Sequence, residues 1–240
     1  MVLKKILSGV LGLSLLLGGT NFAFAKDGTT SLDSIKKKYT NATVEKVTED
    51  IITISGEDTE KIVAELLEKY KEEGEKELIS NTSNNGGITT LGASICTKEC
   101  SDAFRYDQKD SKNVYATSMS QVQGYHWNNG KVHWTSVAGS GIGKWTGSGT
   151  AQWIKIDQKL AYSGVAVSIS WPAGFSVTSD SKVATYNGEK RYGTNVHAVT
   201  FNNGSASSWI SLGKATLDTT TTVRSPQGYD YRTTAVATID

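Results

Sequence analysis

Turn signals recur at short intervals through the second half of the sequence, and this spacing constrains the fold more than any other feature. Asn-Gly pairs at residues 129–130, 187–188 and 203–204, and the segment 225–228, separate stretches rich in Val, Ile, Thr, Trp and Tyr. Asn-Gly favours the tight turn of a β-hairpin because both residues accept a positive φ. Many strands joined by such turns predict a mainly β body over residues 88–240, an antiparallel β-sandwich or an irregular barrel.

A shorter region before the body, residues 26–79, has the pattern of a helix, a strand and a second helix. Residues 51–54 form a β-branched run that is typical of a strand. Apolar residues then recur at helical spacing, which predicts a helix with one buried face. The members of this stripe are Ile62, Val63, Leu66, Leu67 and Tyr70.

Charge divides the chain at the same place. Residues 26–85 carry 14 acidic side chains and 9 lysines, whereas residues 86–240 carry 10 acidic and 14 basic side chains. Between the two regions, residues 80–87 are small, polar or Gly, the composition of a flexible linker. Two interpretations stay open for residues 26–79: an integral α/β subdomain, or a pro-segment that covers an apolar surface of the body until it is removed.

The first 25 residues have the composition of a secretory signal. Lys4 and Lys5 precede an apolar stretch at residues 6–17, and Ala23 and Ala25 form an A-x-A cleavage motif. We therefore expect a secreted, extracellular product. After this segment the chain contains no apolar run of 18 residues, so we expect no membrane-spanning helix in the mature protein.

Cys96 and Cys100 are the two cysteines of the chain. In a secreted protein such a pair predicts a disulfide. Their i, i+4 spacing would bring the two Cα atoms to about 6 Å on a helical turn, a separation that a disulfide spans.

Histidines provide the most specific polar pattern in the body. If residues 129–130 form a two-residue hairpin loop, then His126 pairs with His133 on one face, while Tyr125, Trp127 and Trp134 share the other, buried face. Two adjacent imidazoles with Cys96 or Cys100 would suit a metal or nucleophile site, and the alternative function is therefore a secreted hydrolase. The simpler interpretation, two polar residues on an outer face, is favoured, and we assign no catalytic residue, metal or cofactor.

Binding is the function that the composition favours. The net charge of +1 argues against a nucleic-acid partner. Of the six tryptophans, Trp127, Trp134 and Trp153 are expected in the core, which leaves three that could stack on sugar rings or contact a membrane surface. The predicted binding residues are Trp145, Trp171, Trp209, His126 and His133. The leading hypothesis is a secreted, non-enzymatic module that binds a cell-envelope or extracellular surface, and it includes a toxin- or bacteriocin-like effector matured from a pro-form.

Overall fold

A computed structural model describes residues 28–83, 100–112, 115–128, 132–165 and 168–240. The chain begins with helix α1, a β-hairpin and helix α2, so the helix–strand–helix order expected from the sequence is confirmed, with two strands in the middle. These elements are α1 (Gly28–Lys38), β1 (Ala42–Lys46), β2 (Ile51–Gly56) and α2 (Thr59–Ser83).

Antiparallel strands make up the rest of the described chain. They are β3 (Cys100–Asp110), β4 (Ala116–Asn128), β5 (Val132–Trp145), β6 (Trp153–Val165), β7 (Ser168–Ser170), β8 (Ser176–Val177), β9 (Val183–Asn187), β10 (Arg191–Tyr192), β11 (Val196–Ser208), β12 (Ser211–Arg224) and β13 (Asp230–Ile239).

Two sheets stack face to face. The first sheet has the order β1-β2-β11-β5-β4-β3, with β7 also paired to β11. The second has the order β13-β12-β6-β9-β8, with β10 also paired to β6. The predicted antiparallel β-rich body is therefore confirmed as a sandwich. The sheets do not close into the irregular barrel that was the alternative.

The main core lies between the sheets. Its largest fully buried members include Trp134, Phe201, Leu160 and Leu217. Burial of such side chains stabilises the sandwich by roughly 1.5–3 kcal/mol each. The core therefore depends on strands of both sheets.

Small residues set the spacing of the two sheets. A Cβ on Gly141 would lie 2.5 Å from Thr219 Cγ2, and one on Gly143 would lie 2.6 Å from Thr221 Cγ2. Residues 139–144 look like a flexible connection in the sequence, but that interpretation is wrong: they lie within β5. Their alternating glycines let β5 approach β12 closely.

Helix α2 covers the outer face of the first sheet. All five residues of its predicted stripe are buried, in a cluster with Met119, Ala138, Ile142 and Ala198 of the sheet. The expectation that this stripe packs on the body is confirmed. Among the described helices, none has both the length and the apolar character needed to cross a membrane.

The N-terminal region shares a sheet with the body. Strand β2 pairs with β11 over five residues, from His197 opposite Ser55 to Phe201 opposite Ile51. Asp50 adds polar contacts across the boundary, since its carboxylate accepts hydrogen bonds from the Ala173 amide and the Asn203 side chain. Residues 28–83 thus form part of the same hydrogen-bonded sandwich.

Two sequence-based expectations differ from the structure. Helix α2 continues to Ser83, so the first four residues of the predicted 80–87 linker are helical, and the rest lie outside the described residues. Residues 203–204 form no hairpin turn; they lie inside β11, where the register shifts and Asn203 has a φ of 64°. The same Asn-Gly preference for positive φ serves a β-bulge here.

Candidate binding face

The outer face of the second sheet is a register-aligned field of polar side chains. Both described helices pack on the other sheet, so neither covers this face. Strand alternation sends the odd-numbered residues of β6 outward, from Trp153 to Ala161, and their partners on β12 and β13 lie beside them. The field extends about 26 Å along the strands and about 14 Å across four of them.

Its centre alternates hydrogen-bond donors and acceptors. Asp157 lies between Asn187 and Thr220, and Thr220 shares a 2.8 Å hydrogen bond with Thr234. The next row places Lys159 against Asp218, with which it forms an ion pair. A shallow depression of about 200 Å³ lies here. It is lined by Asp157, Gln158, Lys159, Thr185, Asn187, Asp218, Thr220 and Thr234.

Aromatic side chains lie at one end of this face. Tyr192 is 70% exposed and pairs with Trp153. The Lys190 ammonium lies 4.6 Å from the centroid of the Trp153 ring, a cation–π contact. On the other side of Trp153, Arg224 pairs with Asp230 at 3.3 Å. This end thus offers an accessible ring beside a charged polar row.

Such an arrangement suits recognition of polyhydroxylated ligands. Carboxylate, amide and hydroxyl groups together can accept and donate hydrogen bonds with many hydroxyls, and a phenol ring provides a flat apolar surface. We define the polar face as the outward residues Tyr192, Trp153, Arg224, Asp230, Lys155, Thr222, Arg232, Asn187, Asp157, Thr220, Thr234, Thr185, Lys159, Asp218 and Val236.

The three tryptophans predicted to bind lie in different environments. Trp209 is 64% exposed, in the turn between β11 and β12. Trp171 is half-buried with its ring centroid 5.3 Å from that of Tyr162. Trp145 is buried and donates a hydrogen bond to the Gly149 carbonyl. The structure therefore brings no two of them into one site, and Trp209 alone is widely accessible.

The predicted pairing of the two histidines is wrong by one residue. His126 pairs with Trp134, and His133 pairs with Trp127, because three residues, 129–131, connect the strands. A one-residue shift moves a side chain to the opposite face. His126 and His133 therefore lie on opposite faces of the first sheet and cannot share a metal ion.

The same shift separates the aromatics. Tyr125 and Trp134 are both buried, as expected, but on opposite faces: the Tyr125 hydroxyl donates to the Lys71 carbonyl of α2, and the Trp134 indole donates to the Gly213 carbonyl. The ring of His126 lies 4.9 Å from that of Trp134, and partial burial lowers its pKa. Within the described ranges, no group of three or more His, Cys, Asp and Glu side chains is arranged to hold a metal.

His197 is the third histidine, and its position is structural. It is buried at the seam between β2 and β11, where its Nδ1 lies 3.0 Å from the Ile54 carbonyl. Burial lowers its pKa to about 4, a tendency that the bond to Ile54 opposes. The neutral ring with a proton on Nδ1 donates this hydrogen bond.

Several predicted residues lie outside the described ranges. These are Ala23, Ala25 and Cys96. Cys100 is the first residue of β3, so it has extended backbone in place of the expected helical turn. The disulfide and the signal cleavage remain predictions.

The sequence did not single out the residues of the polar face. Their signal is the alternation in β6 and β12, where Lys155, Asp157 and Lys159 are separated by apolar or buried residues. The threonines at 216–222 are readily explained by strand preference alone. Recognising them as part of one surface requires the register between β6 and β12, which the sequence does not specify.

Comparisons with known proteins add no relative: no family model, no curated protein and no solved structure matches this chain.

Proposed function

We propose that this protein is a secreted, non-enzymatic β-sandwich module that binds a carbohydrate polymer of a cell envelope or extracellular surface through its polar face. The observation that carries the proposal is the uncovered polar field ending at exposed Tyr192. A chain of sugar rings would hydrogen-bond to the central rows and stack its terminal ring on Tyr192.

The shape of the surface supports a polymer over a small molecule. Small-molecule sites are usually enclosed clefts of about 300–1,000 Å³. The depression around Asp157 and Asp218 is smaller and open, and the polar rows continue beyond it along the strands. A flat, extended surface favours an extended ligand that makes many weak contacts.

Charge on this face favours a ligand with both polar and ionic groups. Its basic members include Lys155, Lys159 and Arg232, and its acidic members are Asp157, Asp218 and Asp230. Several of these charges pair with one another, as Lys155 does with Asp157 at 2.8 Å. A ligand can therefore bind without leaving an isolated charge buried.

Secretion belongs to the same proposal and is supported by residues 1–25. Lys4, Lys5 and the motif at Ala23 and Ala25 would direct export. Maturation from a pro-form, as in a toxin- or bacteriocin-like effector, is a further part of the hypothesis. The β2–β11 ladder favours the other interpretation, that residues 28–83 stay with the body.

Pull-down of the purified protein with insoluble cell-wall polysaccharide tests the proposed function. The variants are Tyr192→Ala and Lys159→Ala on the polar face. Matched controls on other surfaces are Tyr106→Ala, on the first sheet, and Lys36→Ala, on α1. We expect Tyr192→Ala to weaken binding by about fivefold or more, because one aromatic contact contributes on the order of 1 kcal/mol.

The controls decide the interpretation. Binding that falls for Tyr192→Ala and Lys159→Ala, and stays at the wild-type level for Tyr106→Ala and Lys36→Ala, supports the polar face as the site. Equal binding by all four variants and the wild type would exclude it.

A further inference from the structure

The turn from β11 to β12 presents two large apolar side chains to solvent. Ile210 is 76% exposed and Trp209 is 64% exposed. Val165, which pairs with Ser211 at the base of the turn, is also exposed. We call Trp209 and Ile210 the apolar tip.

Hydrogen bonds hold the tip in this conformation. The hydroxyl oxygen of Ser208 accepts from the backbone amides of Ile210, at 3.1 Å, and Ser211, at 3.2 Å. Ser208 itself is buried, and Leu212 anchors the chain again in the core beyond the turn. Because the backbone of the turn is held from both sides, Trp209 and Ile210 are directed outward by the fold.

The parts of the strands that meet at this turn lack carboxylates. Residues 160–179 and 196–213 contain no Asp, Glu, Lys or Arg. The nearest charged residues along the chain are Lys159 and Asp180 around the first segment, and Arg191 and Lys214 around the second. An anionic surface that approaches the tip therefore meets no carboxylate of these two segments.

Two lysines lie close to the base of the tip. Lys182 Nζ donates to the Gly164 carbonyl at 3.0 Å, and Gly164 pairs with Leu212. The Lys214 amide donates to Ser163 Oγ at 2.7 Å, and its ammonium is 3.3 Å from the Asp240 carboxylate. Lys214 thus lies four residues beyond Ile210, and Lys182 contacts the strand residue that pairs with Leu212, two residues beyond Ile210.

We propose that the apolar tip inserts into the interface of a lipid bilayer with anionic headgroups. Trp favours the boundary between headgroups and acyl chains, where its ring is apolar and its N–H stays hydrated. Ile210 enters beside it, and Lys182 and Lys214 lie at the level of the phosphates. Two side chains bury little area, so this contact is weak and reversible.

This contact is distinct from the polar face. Along β12 the tip precedes Ser211, whereas the aromatic end of the polar face is at Arg224, about 40 Å away in an extended strand. A substitution can therefore abolish lipid binding and leave polysaccharide binding intact, or the reverse.

Vesicle sedimentation tests the proposal with the purified protein. Vesicles of phosphatidylcholine alone are compared with vesicles containing phosphatidylglycerol. The main variant is Trp209→Ser/Ile210→Ser, and the matched control is Val177→Ser, an exposed apolar residue on β8. We expect the double variant to lose about tenfold or more of its binding to the anionic vesicles, and the control to bind as the wild type does.

Two further measurements identify the contact. Brominated acyl chains should quench part of the tryptophan fluorescence of the wild type, and this quenching should be absent from the double variant, which lacks Trp209. Lys182→Gln/Lys214→Gln should reduce the preference for phosphatidylglycerol and leave the unfolding temperature within a few degrees, since both ammonium groups lie near the surface.

The proposal is overturned if the double variant, with a wild-type unfolding temperature, sediments with anionic vesicles as the wild type does. It is also overturned if the tip variant loses only polysaccharide binding, which would make the tip part of a carbohydrate site. Loss of vesicle binding with retained polysaccharide binding supports it.

Discussion

A buried histidine at the seam between β2 and β11 makes the stability of the fold depend on pH. His197 is enclosed on the inner face of β11, where its Nδ1 lies within hydrogen-bond distance of the Ile54 carbonyl. Arg191, which also contacts Glu45 and Thr53, adds a nearby positive charge that disfavours the imidazolium. Burial is the main cause that lowers the His197 pKa, and the Glu45 carboxylate opposes the effect of Arg191.

Acid should therefore weaken the protein through His197. Its pKa is about 4 in the fold and about 6.5 in an unfolded chain. The unfolded chain takes up the proton first, so the stabilisation is complete above pH 6.5 and is lost as the pH falls towards 4. We expect the loss to be about 3 kcal/mol, and urea unfolding at several pH values measures it.

The variant His197→Gln isolates this contribution. Whatever its stability at pH 7, its free energy of unfolding should fall less steeply than that of the wild type between pH 6.5 and 4. Parallel curves for the two proteins would assign the acid sensitivity to other groups.

Gly141 limits the distance between the sheets. In Gly141→Ala the new methyl group would meet the β-branched Thr219, which is fully buried and donates a hydrogen bond to Ser120. We expect a loss of about 1–3 kcal/mol in the free energy of unfolding, measured by chemical denaturation. The control is Ser140→Ala, which removes a buried hydroxyl that has no hydrogen-bond partner among the described residues and should change stability little. Equal effects of both would contradict the close-packing argument.

Among the helices and strands, the sequence predicts best those in which apolar side chains recur at one regular spacing. The stripe of α2 was recognised because five apolar residues recur on one face. Strand β3 was missed because it lies at the edge of the first sheet and carries mostly polar residues, which resemble a loop. The hairpin register was missed because loop length decides it, and an Asn-Gly pair fits a loop of two or three residues.

The polar face was missed for a related reason. Each of its residues is ordinary in its own strand, and only the pairing of β6, β9, β12 and β13 joins them. Exposed residues are weakly constrained by packing, so the sequence alone does not distinguish a binding surface from a solvated one. Trp209 is 64% exposed, and its role in binding stays a prediction.

The N-terminal elements should stay bound after a chain break. A protease site inserted between Asn84 and Asn85 allows the protein to be nicked there. We expect the two fragments to co-elute in size-exclusion chromatography at pH 7, because β2 pairs with β11 and the stripe of α2 is buried on the first sheet. Elution of the body alone would favour a releasable pro-segment.

Burial of α2 can be tested by one side chain. Leu66→Ala should lower the free energy of unfolding by about 2–4 kcal/mol, since Leu66 is fully enclosed in the cluster under the helix. Glu68→Ala, on the exposed side of α2, is the control and should change it by about 0.5 kcal/mol or less. Denaturant unfolding followed by tryptophan fluorescence measures both.

The whole molecule should unfold as one unit. Strands from both ends of the chain are interleaved, because β2 of the N-terminal region and β11 of the body are neighbours in one sheet. The inter-sheet core contains Ile51 of β2 together with Leu217 and Ile239. We therefore expect a single calorimetric transition with equal van't Hoff and calorimetric enthalpies. Two resolved transitions would indicate separate folding units.

The position of the apolar tip has a mechanical consequence. It joins β11 and β12, and each of these strands is hydrogen-bonded to a neighbour on both sides: β11 to β2 and β5, and β12 to β13 and β6. A pulling force transmitted through Trp209 and Ile210 would act along these strands. Their hydrogen bonds would then be loaded together in shear, whereas a force on an edge strand would peel them apart one at a time. Flow would therefore pull a protein tethered at this turn in a direction in which many hydrogen bonds share the load.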